Sequence, residues 1–223
     1  MTVSTLERPL YSSTEAARLL GLTSQTLRRW LEGAMVRGVW YPPVIRFDPT
    51  GSDIVTWGEF VEAGLLGSYR AQKVPLQRMR PFIEDMRVEF GVPYPLAHFR
   101  PMIDNKRLVY RLQVKSELPS ELYLVRAEGG QMQFAPLMEN FLKRVELTNG
   151  TVGRLRPLGP DSPVVIDPEV SFGIPQIRGV RTESIAESLR AGETAEEAAT
   201  SWGVGRDDVD AAMVWENSLR KAA

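Results

Sequence analysis

Ser24, Gln25, Thr26 and Arg28 stand within five consecutive positions directly after Thr23, a residue suited to cap a helix. The N-terminal end of a helix that enters the major groove of DNA reaches base edges, and these four side chains can donate to or accept from them. Arg29, Arg46 and Tyr41 are of the kind that holds backbone phosphates. The same residues also suit a helical hairpin with solvated arginines. Little else in the chain offers chemistry. Glu84/Asp85, Glu196/Glu197 and Asp207/Asp208 are adjacent pairs, and neighbours on a helix diverge rather than converge on a metal. With no Cys and one His, His98, there is scant material for thiol or imidazole catalysis or for a transition-metal site. No phosphate-binding glycine loop, dinucleotide fingerprint or nucleophile elbow occurs. The expectation is a protein that is not an enzyme and uses no cofactor or metal.

The elements that must position the polar helix can be read around it. Ser12 with Glu15 has capping-box spacing, Ala16, Ala17, Leu19 and Leu20 form an apolar stripe, and Gly21 ends the helix. Thr23 starts a second helix over residues 24–32, in which Leu27, Trp30 and Leu31 face inward. Residues 38–46 and 54–57 are expected as two strands of a wing around the polar turn 48–53. Helices follow over 58–66 and 75–90. After the proline-rich boundary 91–95 the spacing predicts strands over 107–114 and 121–127, a helix over 136–145 and a hairpin at Asn149–Gly150. The last segment carries a short strand at 164–166 and three helices, with Thr182, Thr194 and Asp207 at their starts. The predicted fold is mainly α with short β-strands. It comprises an N-terminal winged helix-turn-helix (residues 1–92), a small α+β middle segment (93–160) and a C-terminal three-helix domain of helix-turn-helix shape (161–223).

Charge separates the two helical ends. The 223 residues hold 27 Lys/Arg and 28 Asp/Glu, but residues 1–115 carry a net +5 and residues 161–223 a net −6. Only the front half is drawn to a polyanion; the acidic segment around Asp207, Asp208 and Asp210 repels phosphate and reads as a protein-binding or dimerising unit. Trp202, Met213, Val214 and Trp215 mark its candidate interface, although Trp202 also suits a core position. The lack of Cys, of an apolar N-terminal leader and of a spanning segment places the expected location in the cytoplasm.

Two stretches resemble known families. Residues 11–30, Tyr-Ser-Ser-Thr-Glu-Ala-Ala-Arg-Leu-Leu-Gly-Leu-Thr-Ser-Gln-Thr-Leu-Arg-Arg-Trp, with the wing and the Trp57-Gly58-Glu59-Phe60 helix start, resemble a MerR-like winged helix. Residues 164–216, through Val-Ile-Asp-Pro-Glu (165–169), Phe-Gly-Ile-Pro (172–175), Ile-Arg-Gly-Val-Arg-Thr (177–182) and Ala-Gly-Glu-Thr (191–194), are similar to a small domain of formerly unknown function found in antitoxins. Together they resemble VapB-type antitoxins of bacterial type II toxin–antitoxin pairs, whose partners are PIN-like ribonucleases. The resemblance implies a homodimer that represses its operon at operator DNA through Ser24, Gln25, Thr26, Arg28, Arg29, Tyr41 and Arg46. It also implies a toxin-binding surface. An arginine inserted among the acidic metal ligands of such a nuclease would displace the ion, and Arg178 and Arg181, or Arg154 and Arg156, are candidates, with Phe172 of the matched motif beside them. Arg178 equally suits an internal salt bridge that fixes the Gly179 turn. Many small VapB proteins end in a disordered toxin-wrapping tail, whereas this C-terminus reads as folded. The alternative is a stand-alone MerR-like regulator that responds to a small ligand.

Overall fold

In the computed structural model, which describes residues 4–222, short antiparallel ribbons join a predominantly helical chain. The elements run β1 (Pro9–Ser12), α1 (Ser13–Leu19), α2 (Ser24–Glu32), β2 (Ala34–Val36), β3 (Val39–Tyr41), β4 (Ile54–Thr56), α3 (Trp57–Tyr69), α4 (Arg80–Phe90), α5 (Phe99–Asp104) and α6 (Lys106–Lys115). They continue with β5 (Val125–Glu128), β6 (Gln131–Phe134), α7 (Pro136–Leu142), β7 (Val145–Thr148), β8 (Thr151–Leu155), β9 (Gln176–Ile177), β10 (Val180–Arg181), α8 (Thr182–Arg190), α9 (Ala195–Trp202) and α10 (Arg206–Ala222). The fold is mainly α with short strands, as expected from the periodicity. Two compact units emerge: residues 1–142 with 147–152, and residues 143–146 with 153–223.

In the first unit, helix boundaries follow local chemistry. Ser12 Oγ accepts from Glu15 N at 3.1 Å and Thr23 Oγ1 from Thr26 N at 3.2 Å, which satisfies amides that the first turns of α1 and α2 leave free. Thr56 and Glu59 cap each other's backbone at the start of α3. That helix is apolar nearly all round, and Trp57, Phe60, Val61, Leu65 and Leu66 are buried, so it is the centre of the unit. Tyr11 and Trp57 flank Phe60 with ring centroids 4.8 and 5.5 Å away, and the Trp57 indole donates to Val152 O at 2.6 Å.

The wing differs from expectation. Its hairpin is β2–β3, in register Ala34↔Tyr41 and Met35↔Trp40 about the turn Arg37–Gly38. Pro42 and Pro43 follow β3 and lack the N–H groups that would continue a ladder through residues 44–46. Val44 and Ile45 instead bury their side chains and donate their amides to Trp30 O at 2.8 and 3.0 Å. β4 pairs with β1, Tyr11 opposite Val55, because both side chains belong to the core under α1.

Other departures have equally local causes. The helix expected over 75–90 is a 3-10 turn, Leu76–Met79, followed by α4, with Pro81 at its first turn, where the missing amide costs nothing. Residues 107–114, expected as a strand, form α6: Val109, Leu112 and Gln113 are buried at i, i+3 and i+4. The buried Gln113 accepts from Leu124 N and Val125 N and donates to Val125 O, so it binds α6 to β5. Part of the strand expected over 121–127 is likewise a 3-10 turn, Ser120–Leu122, ahead of β5.

In the second unit α8, α9 and α10 pack together, and Ile185, Ala186, Ala198, Val209, Ala212 and Trp215 are buried. Thr194 and Glu197 form the expected capping box. Thr182 was expected to cap α8 but is its first helical residue; its hydroxyl donates instead to the buried Glu216 at 2.7 Å. Single bridges join Leu155 to Ile166 and Val165 to Gln176. Trp202 is 39% exposed, with Nε1 3.1 Å from Ser188 Oγ, so it is not a core residue; Val214 is exposed and Trp215 buried.

Candidate nucleic-acid interface

α2 presents one cationic, polar face. Leu27, Trp30 and Leu31 pin the opposite side into the core, leaving Gln25, Arg28 and Arg29 exposed together. Ser24 and Thr26 are half-buried, and Thr26 Oγ1 lies 2.8 Å from Thr23 Oγ1, so the first turn is internally tied. Arg29 and Tyr41 of the wing line one hollow with Trp30, Val36 and Leu76. Met35, Val39, Trp40 and Tyr41 make the wing unusually apolar for an exposed ribbon.

Arg28 is held from the side. Its Nε donates to Ser13 Oγ at 3.0 Å and its Nη2 to Asp53 Oδ1 at 3.2 Å, while Ser13 Oγ donates to Asp53. The Ser13 hydroxyl bond, with the Arg28 charge beside it, holds the Asp53 carboxyl below its ordinary range.

Arg46 does not join this face. Its side chain is 7% exposed, and every N–H of the guanidinium is engaged. Nε and Nη2 grip Glu59 at 2.6 and 3.2 Å, Nη2 reaches Ile54 O at 2.7 Å, and Nη1 meets Glu32, Thr50 and Ser52 O. Burial disfavours the charge, but the hydrogen bond and charge of Glu59, with Glu32, outweigh it and raise the pKa. Glu32 also accepts from Thr50 N and Gly51 N at 3.0 and 2.8 Å. Arg46 is therefore the clasp of loop 47–53, and no donor remains for a phosphate.

The second unit holds all five residues expected to face a protein partner. Arg154 pairs with Asp167 at 2.6 Å and Arg156 with Glu146 at 2.7 Å, and Arg156 also donates to Ser162 O. Arg178, 73% exposed, donates to Asp208 at 2.9 Å, which is the internal bridge at the Arg178–Gly179 turn between β9 and β10. Arg181 is exposed. Phe172 is 72% exposed and adopts φ 54°, next to Ser171 at φ 50° and Gly173 at φ 73°. Two non-glycine residues in the left-handed region cost of order 1–3 kcal/mol each, so the surrounding turn over-determines an aromatic ring that solvent surrounds.

Comparison with known proteins gives this arrangement a family. Residues 9–83 match the family described as "Putative DNA-binding HTH domain", and residues 164–215 match "Protein of unknown function (DUF433)". The chain is 31% identical to the "Uncharacterized protein Rv2308" of Mycobacterium tuberculosis over 98% of its own length and 94% of that protein's. It belongs to the Rv2308 family. A second relative from the same organism, "Putative antitoxin VapB45", is 29% identical over 92% of each chain. The crystal structure of Rv2018 from M. tuberculosis superposes with a TM-score of 0.75 at 28% identity, covering 94% of this chain and all of that one.

For this member of the Rv2308 family, reading the sequence missed Ser13, Glu32 and Asp53. Nothing in their spacing from Arg28 or Arg46, 14 to 25 positions along the chain for the bonded pairs, signals that they meet; β1–β4 pairing brings Ser13 to Asp53.

Proposed function

We propose that this Rv2308-family chain is a non-catalytic antitoxin that neutralises a cognate PIN-like ribonuclease by direct binding and, as a homodimer, represses its own operon at operator DNA. The observation that carries the DNA half is the exposed Gln25–Arg28–Arg29 face on the second helix of a helix-turn-helix. On this reading α2 lies in the major groove with Gln25 and Arg28 toward base edges, helped by Ser24 and Thr26, and Arg29 and Tyr41 meet phosphates. A two-fold dimer would set half-sites about 34–36 Å apart.

The antitoxin half is supported by the relative named "Putative antitoxin VapB45", which aligns along nearly the whole chain. It is also supported by the second unit's surface. Phe172 is a presented aromatic anchor, and Arg178 and Arg181 lie on the same β9–β10 hairpin and its exit. Arg178 is exposed and has one partner, Asp208, whose carboxylate is also held by the Gly205 amide, whereas Arg154 and Arg156 are each bound twice. We therefore place Arg178 and Arg181 ahead of Arg154 and Arg156 as the guanidinium groups that meet nuclease carboxylates.

Co-expression with the product of the adjacent open reading frame, with the tag on this chain alone, tests the reading. It predicts a stoichiometric partner that is silent in the complex and cleaves RNA once released. Recovery of this chain alone, still bound to its promoter, would refute the antitoxin half and leave a regulator.

A further inference from the structure

The grip on Arg28 leaves a defined part of it free. A guanidinium has two edges with paired donors: the side edge, Nε with Nη2, and the end edge, Nη1 with Nη2. Ser13 and Asp53 occupy the side edge, at 3.0 and 3.2 Å, so the end fork projects from the exposed face of α2. Two parallel donors at that spacing match the O6 and N7 acceptors that guanine alone presents in the major groove; adenine offers N7 but places a donor where O6 would be.

Asp53 is itself fixed. Its carbonyl accepts from Ser13 N at 2.8 Å, Ile54 after it is paired with Ser12, and the loop before it is clasped by Glu32 and Arg46. The position of the carboxylate is thus set by the fold rather than by Arg28. Its charge matters as well. With a carboxylate against it, the Arg28 guanidinium carries little net charge toward the groove, which weakens attraction to phosphate and leaves hydrogen-bond geometry to decide its partner. Arg29 has no carboxylate in ion-pair range among the described residues, and suits the backbone role instead.

We infer that Asp53 and Ser13 are positioning residues that hold Arg28 in a fork directed at a guanine, so that one base pair of each half-site is read as guanine through a residue from outside the recognition helix. The inference rests on the DNA-binding half of the reading above.

The test is selection of binding sites from a pool of randomised DNA duplexes by the full-length chain, in parallel for wild type, Asp53→Ala, Ser13→Ala and Arg28→Ala. Asp53 is exposed and Ser13→Ala places a good helix former at the start of α1, so neither depends on rebuilding the core; melting curves confirm folding. The wild type is expected to select one position at which guanine exceeds the other bases roughly tenfold or more. Asp53→Ala and Arg28→Ala are expected to level that position to within about twofold while the remaining positions are retained, with Ser13→Ala intermediate. A wild-type motif that Asp53→Ala and Ser13→Ala leave intact would overturn the inference alone. So would a uniform weakening across all sequences with a smaller salt dependence in Arg28→Ala, the mark of a phosphate contact. Failure of the wild type to select any sequence would overturn the DNA-binding reading itself, and the inference with it.

Discussion

Replacing Arg46 by Met separates a structural clasp from a phosphate contact. The side chain and Glu59 are each 7% exposed and meet at 2.6 Å in a two-pronged pair, so Met leaves Glu59 buried without its cation. Removing one member of a buried pair costs about 3–5 kcal/mol. Glu32, a quarter exposed, adds less, because water can replace its partner. The carbonyls of Ser52 and Ile54 also lose their donor, which loosens the loop that ends at Asp53. Urea unfolding followed by tryptophan fluorescence should show a loss of about 3–5 kcal/mol. The loss should shrink by about 1–3 kcal/mol when the same change is made in a Glu59→Gln background, since the pair is then already broken. A loss below about 0.5 kcal/mol, with weaker DNA binding and a reduced salt slope instead, would show that Arg46 faces phosphate and that the clasp is misassigned.

Other perturbations have equally definite outcomes. Glu62 is fully buried, with Oε2 unpaired; burial first, offset in part by Arg87 at 4.0 Å and the Leu96 amide, pushes its pKa up to about 8 from 4.5. At that distance, with its guanidinium also donating to Ile45 O and Pro93 O, Arg87 does not hold Glu62 ionised. The folded state therefore keeps a proton that the unfolded state releases between pH 4.5 and about 8. Stability falls as pH rises through that window, by at most about 1.4 kcal/mol per unit. Glu62→Gln should flatten the slope in denaturation at pH 5 and 7.5, and equal slopes in both proteins would disprove the neutral carboxyl. Gly33 has φ 76°, and a Cβ there would lie 2.5 Å from Tyr41 O and 2.8 Å from the Trp40 ring, so Gly33→Ala should destabilise the link between α2 and the wing, with a loss above about 1 kcal/mol on thermal or urea unfolding. An unchanged midpoint would show that the wing moves aside freely. Arg29→Ala should weaken binding to all duplexes alike and lower the salt slope by about 1, and a sequence-selective loss would contradict its phosphate role.

What the sequence made legible was local. Caps at Ser12, Thr23 and Thr194, the i, i+3, i+4 burial of Leu27, Trp30 and Leu31, and the Asn149–Gly150 turn all depend on residues within one or two turns of each other. The exposed trio Gln25, Arg28 and Arg29 followed from the same periodicity. α6 escaped because its apolar residues are spread round the helix and one of its three buried positions is Gln113, a polar side chain whose burial is justified by its bonds to Leu124 and β5. Arg46 read as a surface cation because the two carboxylates that bury it lie 13 and 14 positions away, on different helices. The apolar wing and the strained Phe172 also carry no local signal: exposure is decided by what fails to pack against a residue.

The most direct test of the central claim is a titration of the neighbouring gene product's ribonuclease activity with this purified chain. The account predicts that RNA cleavage falls to background at a fixed stoichiometric ratio, and that Phe172→Ala and Arg178→Ala/Arg181→Ala shift the inhibition curve to higher concentration while the protein stays folded. Cleavage that continues unchanged in excess chain, or inhibition retained in full by residues 1–115 alone, would contradict it.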